Sequence, residues 1–489
     1  MKRLKYIVLA IIASTFVLQS CSEDKMDEIN ENKNNPEFVA SRYLIANVAT
    51  STSFSVVGSD LAFYTAIYTE LLAGVDNQMF RAQTRNGEPQ LASTYNNKWN
   101  DTYSQLKALK TVIEQCSPGG KEAGNNQALG IAQVLSAYNW AILTDLFGDI
   151  PMKEALQPGV IYQPKIDKQE DVYKEIFRLL DEGIANLQKS SGQHTLVGTQ
   201  DIIYKGSNTN WVKAAYGLKA RYTMRLSYRK ADYQAVLDYV DKSFVVASEE
   251  MKVKNSGIPY PFYQFEKDRG GLASSKSFYD LMKTNDATDP RLVDFFVPLK
   301  NAQTNTSTLV LFDQTESKPN EGKGIYSPSG LSFLTDEDKI NVENPIFLLS
   351  YHELLFLKAE AEARLGKTGE ALVTLEQAVK AGLTKAQRYK YPTYKPTIDA
   401  GLSGNALIKK IAQEKYISFF EVESIEAYND IRRWKAMGEE NIPLKNPKEF
   451  PYRLGYGQSD VVSNENIKTA FGNGSYVYSE NVWWAGGTR

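Results

Sequence analysis

The strongest constraint on this fold is a spacing of small residues past the middle of the chain. Lys358-Ala359-Glu360-Ala361 is followed by the turn Gly366-Lys367-Thr368-Gly369, and then by Glu370-Ala371-Leu372, Leu375 and Ala378. Glycine ends one helix there and lets another begin. Alanines at these offsets allow two antiparallel helices to approach closely. A lone hairpin of this kind leaves its apolar face uncovered, so others have to stack against it. The spacing predicts a helix over 348–365 and its return over 370–381. Looser pairs occupy 128–146 with 172–187 and 211–227 with 233–247. Helical periodicity also covers 38–71, 99–116 and 407–420, the last continuing toward Trp434. Ser117-Pro118-Gly119-Gly120 stops the second of these.

The hairpin at 348–381 resembles a tetratricopeptide hairpin. The fold class expected is therefore mainly all-α, with tetratricopeptide-like helix hairpins forming a right-handed scaffold; a non-repeating helical bundle is the alternative. Segment 249–344 interrupts the pattern and is rich in Gly, Pro, Asn and Thr. An insertion of that length is functional or disordered. Its aromatics, among them Phe265, Phe278 and Tyr279, argue against disorder. It contains a helical piece at 275–283 and a strand-like run, Thr308-Leu309-Val310-Leu311-Phe312. Residues 73–95 read as loop, with Gly74, Asn77, Asn86, Gly87 and Pro89. The layout expected is one domain over 38–489: a helical scaffold at 38–248 and 345–440, the loop-rich insertion at 249–344, and an irregular C-terminal segment at 441–489.

The start of the chain has a different character. Lys2, Arg3 and Lys5 precede an apolar run over 6–18 and then Leu18-Gln19-Ser20-Cys21. This is the layout of a secretory signal, and the run is too short to span a bilayer. A cysteine at the cut resembles the lipobox of bacterial lipoproteins, and Ser22-Glu23-Asp24 resembles the surface-export signal of Bacteroidetes lipoproteins. The expectation is a signal peptide at 1–20, lipidation at Cys21 and a polar tether at 21–37, with the protein lipid-anchored in the outer membrane and facing the cell exterior. The alternative is an ordinary signal peptide with an incidental cysteine. If Cys21 is lipidated, Cys116, the second of two cysteines, has no disulfide partner and reads as a core thiol. A net charge of -2 excludes a nucleic-acid footprint.

Catalytic chemistry finds little support. The two histidines, His194 and His352, sit in a polar loop and a helical pattern. No His/Cys cluster has zinc spacing, and neither a phosphate-binding glycine loop nor a nucleophile elbow occurs. Glu360 and Glu362, two apart on a helix, point to different faces. Asp286, Asp289 and Asp294 lack the spacing of a calcium loop. We expect no catalytic residue, no metal and no cofactor. Thr144-Asp145-Leu146-Phe147-Gly148-Asp149-Ile150-Pro151 looks site-like, but it has a structural explanation. Gly148 ends a helix, Pro151 prevents its continuation, and Asp145 and Asp149 satisfy exposed backbone groups.

That segment also carries a family resemblance. With the lipobox, it is joined by Glu414-Lys415-Tyr416-Ile417-Ser418-Phe419-Phe420 running to Asp430-Ile431-Arg432-Arg433-Trp434. Pro451-Tyr452-Arg453-Leu454-Gly455-Tyr456 before Asn464 and the closing Val482-Trp483-Trp484 complete the set. In this order the segments resemble the SusD/RagB family, in the branch with a Thr-Asp-x-x-Gly-Asp-x-Pro signature. The family's late motif usually has Pro and Glu where Gly457 and Asp460 stand. The resemblance implies a tetratricopeptide-like helical scaffold at the outer-membrane surface. It also implies a partner, a TonB-dependent SusC-like transporter, and capture of oligosaccharides, or in some members peptides, without bond chemistry.

Sugar rings stack their C–H faces on aromatic rings, and their hydroxyls need amide, carboxylate and guanidinium partners. Two loops supply both. One offers Asp76, Asn77, Gln78, Phe80 and Arg81, continuing to Tyr95 and Asn96; the insertion offers Tyr260, Phe262, Tyr263 and Tyr326. The resemblance implies a ligand surface drawn from these same two regions. Trp99, Trp483 and Trp484 read as packing residues. Three rivals to glycan capture are a peptide-capturing member of the same family, a glycoside hydrolase with converging carboxylates, and a structural adaptor. An aromatic platform exposed on the insertion separates glycan capture from the adaptor.

Overall fold

In the computed structural model the periodic segments become a run of antiparallel helices. The structure describes residues 38–192, 194–254, 257–300, 304–330, 344–383, 393–421 and 423–488. Two compact units divide the chain, Met1–Ala40 and Ser41–Arg489. The expected signal peptide, Cys21 and the tether lie outside the described residues.

The larger unit opens with α1 (Ser41–Ser51), a π-helical turn (Thr52–Val57) and α2 (Asp60–Tyr68), then β1 (Leu72–Gly74) and α3 (Asn77–Thr84). The scaffold continues through α4 (Asn96–Cys116), α5 (Asn126–Phe147), α6 (Gln169–Leu187), α7 (Asn208–Arg225) and α8 (Tyr233–Val240). The insertion holds β2 (Met251–Val253), α9 (Pro261–Asp268), β3 (Leu272–Ser274), α10 (Lys276–Asn285), α11 (Arg291–Phe295), β4 (Leu299–Lys300) and β5 (Ser307–Thr308). Then come β6 (Ile346–Leu349), α12 (Tyr351–Arg364), α13 (Thr368–Gly382), α14 (Gly404–Ser418), α15 (Ser424–Ala436), α16 (Gln458–Ser463) and α17 (Glu465–Phe471). Among the described residues the strands form antiparallel pairs, β1 with β3, β2 with β6 and β4 with β5. The fold is all-α and tetratricopeptide-like.

Helix starts follow capping chemistry. Asn125, Ser207, Asp232 and Ser350 each accept a backbone N–H three residues on, which satisfies a donor the helix cannot. Helix α5 is apolar around its whole circumference and is buried almost throughout, packed by α4, α6 and α7. Gly130 sets its distance from α6: a Cβ there would lie 2.6 Å from Leu187 and 2.9 Å from the Gly183 carbonyl.

Five expectations need correction. Segment 441–489 is not irregular throughout, since it holds α16 and α17, the latter started by the Asn464 side chain accepting Asn466 N–H. Residues 348–349 belong to a strand; the apolar run Ile346-Phe347-Leu348-Leu349 pairs with β2, and Ser350 starts the helix. The helix expected over 233–247 ends at Val240, because the Ser243 hydroxyl donates to the Lys213 carbonyl at 2.8 Å and turns the chain back onto α7. A single helix does not run from 407 to 434. Glu421, at φ +66°, breaks it, and its carboxylate accepts the Tyr260 and Ser329 hydroxyls. Segment 73–95 is not loop throughout; Met79, Ala82 and Gln83 give α3 a buried face.

Charged side chains inside the stack join helices distant in sequence. Arg221 on α7 donates to Glu353 on α12, with Nε to Oε1 at 2.7 Å. Arg225 pairs with Glu426, and its other terminal nitrogen lies 3.5 Å from Asp145. Arg433 on α15 forks onto both oxygens of Glu360 at 2.7 Å, and Lys415 holds Asp430 at 2.7 Å. Burial works to raise the Glu360 carboxyl, but Arg433 and Arg364 outweigh it and hold the group well below the usual range.

Candidate functional site

Three chain-distant segments meet beside the insertion. Strand β1 pairs with β3, placing Ala73 opposite Ala273. Beyond the strand, Val75 O accepts Gly322 N–H at 2.8 Å, and Asn77 N–H donates to Glu321 at 3.0 Å. These bonds lay α3 against the insertion. Ala73, Val75, Ala273, Phe312 and Tyr326 make a small apolar cluster beneath, and Phe80 packs on it. The Phe312 and Tyr326 rings meet edge-on at 5.2 Å.

The third segment is a strap over 443–448. The carboxylate of Glu70 accepts the backbone N–H of Lys445 at 2.8 Å and of Asn446 at 2.6 Å. The Asn446 side chain donates to Gln83 O at 2.9 Å. Between the three lies an open cavity of about 590 Å³, within the range of small-ligand sites. Phe80, Thr84, Arg85 and Asn86 form one wall, Phe312, Gln314 and 316–319 a second, and 446–448 a third. Phe80 is half-buried and Asn86 exposed. Gln314 is committed, taking Ser277 N–H and donating to the Ser275 hydroxyl. Arg85 donates to the carbonyls of Ala82, Gln83 and Glu449; burial lowers its pKa, with Tyr68, Tyr478 and Glu70 opposing.

A larger cavity of about 830 Å³ lies along α4, α5 and α6, over Leu106, Trp140, Met152 and Leu156. Its rim charges satisfy one another: Lys153 pairs with Asp171 at 3.1 Å, and Arg178 with Glu175 at 2.6 Å and Glu182 at 2.5 Å.

The two expected loops are brought together, but few of the expected side chains face the cavity. Phe80 does, and Tyr326, 9 % exposed, supports it from below. Tyr95, Tyr260 and Phe262 are buried, which removes them from any surface platform. Tyr95 shares a hydrogen bond with Tyr68 at 2.7 Å, and Phe262 meets Phe63 edge-on at 4.7 Å. Tyr263 is half-buried, with the Lys267 ammonium 5.7 Å from its ring centre. Asp76 accepts the Asn77 amide, Arg81 binds Glu88 at 3.1 Å, and Asn96 accepts Ser459 N–H at 2.8 Å. Gln78 is half-buried and lines none of the cavities described. Among the described residues the insertion presents no exposed aromatic platform, which on that criterion favours the adaptor. Tyr260, Phe262 and Phe278 pack into the main core, Phe262 on Phe63 and Phe278 on Phe420. The half-buried ring on the cavity wall is Phe80, outside the insertion. Sequence reasoning missed Arg85, Asn86, Lys318 and Lys448. The signal for the last was the Asn446-Pro447 turn pair in an otherwise patternless stretch.

The motif segments hold the scaffold. Asp149 accepts Gln169 N–H at 2.8 Å and the Lys168 ammonium at 2.9 Å, capping α6 as expected. Asp145 instead accepts the Tyr173 hydroxyl at 2.5 Å and faces Arg225, so it serves side chains, not backbone. Asp286 is taken by Thr288, and Asp289 by Arg291.

A family model described as SusD-like, starch-binding and associating with the outer membrane, matches residues 33–457. The chain belongs to the SusD-like family. Among solved structures it is similar to a SusD/RagB family protein from Bacteroides thetaiotaomicron, at 38 % identity, TM-score 0.81, covering 92 % of this chain and 100 % of that one. It shares the fold of a chitin-binding SusD homolog from Flavobacterium johnsoniae, at 19 % identity, TM-score 0.70, covering 91 % and 98 %. No curated protein matches the chain. Within this SusD-like chain, the departure at Gly457 and Asp460 has a local cause. Trp99 lies so close that a Cβ on Gly457 would sit 2.6 Å from its ring, and Asp460 accepts the Trp99 indole N–H at 2.8 Å.

Proposed function

We propose that this protein captures oligosaccharides at the cell surface, by binding without bond chemistry, and passes them to a TonB-dependent SusC-like transporter. The observation that carries this reading is the open cavity between α3, the insertion and the 443–448 strap. It sets the half-buried ring of Phe80 beside the exposed amide of Asn86 and the exposed polar groups of 316–318. A ring face with converging polar groups matches the two-sided chemistry of a sugar. Membership of a family described as starch-binding and outer-membrane-associated supports the same reading. Cys21 is the proposed lipid anchor, holding the body outside the cell. No helix of the described residues is long and apolar enough to cross a membrane.

Native affinity electrophoresis of the body cut after Cys21, through gels carrying a panel of polysaccharides, tests the proposal. Retardation by one polymer, abolished by Phe80→Ala, is the expected result. Retardation untouched by Phe80→Ala moves the site elsewhere. No retardation by any polymer rejects glycan capture by the isolated body and favours the peptide-capturing reading, and release of sugar products favours hydrolysis.

A further inference from the structure

The walls of this cavity carry an uneven charge. Arg85, Lys318 and Lys448 line it, against Glu316 as the one acid among the lining residues. The rim of the larger cavity, by contrast, is laced with ion pairs, and the whole chain carries a net charge of -2. Among the described residues, neither Lys318 nor Lys448 has an ion-pair partner for its ammonium, although both are exposed. Arg85 spends its hydrogen bonds on neutral carbonyls, and no carboxylate lies within ion-pair distance of it among the described residues. Glu70 supports this guanidinium only from beyond ion-pair distance, and Arg85 adds its charge to the cavity wall. Concave walls of one sign also raise the local concentration of an opposite charge.

We propose that the glycan bound in this cavity is anionic, a sugar chain bearing carboxylate or sulfate groups. The proposal rests on the glycan-capture reading and adds the substrate class to it. Phe80 takes the ring face, and Arg85, Lys318 and Lys448 surround the acidic substituent. Guanidinium and ammonium groups bind carboxylate and sulfate oxygens by charge-assisted hydrogen bonds.

The test uses matched polymers in affinity gels: dextran, dextran sulfate, polygalacturonate and starch. Retention by dextran sulfate or polygalacturonate, not by dextran, is the expected result, and it weakens as salt is added. Which of the two acidic polymers retains the protein assigns sulfate or carboxylate. The double variant Lys318→Ala/Lys448→Ala is expected to lose about tenfold in affinity. Lys230→Ala, on an exposed lysine outside the cavity, leaves binding unchanged. Acidic-polymer retention that survives the double variant overturns the assignment to this cavity. Retention by starch alone, unaffected by the double variant, overturns the anionic class and leaves glycan capture standing. Retention by none of the four, where the wider polysaccharide panel also fails, overturns both.

Discussion

Glu70 holds Asn446 by its backbone: the carboxylate at the end of α2 accepts the Asn446 N–H at 2.6 Å, and the same group takes the N–H of Lys445. Glu70 is buried and sits at φ +63°, a conformation that side chains other than glycine rarely adopt. One strained residue thus ties the early helices to the last segment of the chain.

Replacing Glu70 by Ala removes the acceptor of these partly buried N–H groups. The expected cost is about 1–3 kcal/mol of stability. Polysaccharide retention should fall with it, since 446–448 forms one cavity wall. Hydrogen exchange at Lys445 and Asn446 reads the loosening directly; unchanged protection there rules out the clamp.

Gly457→Ala places a methyl group against the Trp99 ring and is expected to destabilise by about 1–3 kcal/mol. Gly455→Ala is the comparison, because a Cβ there meets Phe471 at 3.4 Å, an ordinary contact. Chemical denaturation of the two variants should rank Gly457→Ala clearly lower. Equal midpoints remove close approach as the reason for glycine at 457.

Arg433→Met takes the fork from buried Glu360 and leaves it Arg364 alone, which donates at 2.8 Å, an expected loss of about 1–3 kcal/mol. Adding Glu360→Leu should recover part of it, because the under-compensated charge is then gone. Glu360 has a lowered folded value, so its contribution is present above its ordinary 4.5 and is lost as pH falls. Urea melts of both variants, in neutral and acidic buffer, check the pair and its sign.

Glu266 titrates in the opposite sense. Burial pushes its carboxyl up to about 8, helped by nearby Glu421 and opposed by Leu272 N–H and Lys323. Between its ordinary 4.5 and about 8 the folded state keeps a proton that the unfolded chain has released. Stability therefore falls as pH rises through that window and levels off above it. Glu266→Gln retains an oxygen for Leu272 N–H and should flatten this slope. Thermal midpoints at about pH 5 and about pH 8 decide it; an equal slope in both proteins removes Glu266 as the cause.

The scaffold was legible because helices announce themselves locally. Periodicity finds α4 through α7 but places their starts two or three residues late, because the first turn of each is polar and sits before the apolar pattern begins. The strand at 346–349 was not legible, since a four-residue apolar run suits strand and helix alike. The site was half legible. Phe80 lies in the loop that sequence singled out, and the insertion does come to meet it. Lys318 gave no signal and Lys448 only a neighbouring turn pair, because their placement depends on Gly322, Glu321 and Glu70, contacts between segments that share no pattern. Aromatic richness misled at Tyr260 and Phe262: a loop-rich insertion must bury something, and these rings are what it buries.

The three walls of the cavity come from the beginning, middle and end of the chain. Local helix contacts form quickly, while contacts between such remote partners wait on long loop closures. The pocket is therefore among the last features to be completed, and a chain cut short before the strap would lose the buried Arg453, Tyr456 and Trp484 along with that wall. On the proposed reading a captured sugar bridges all three walls at once, and cargo then acts as a keystone that resists the molecule's coming apart.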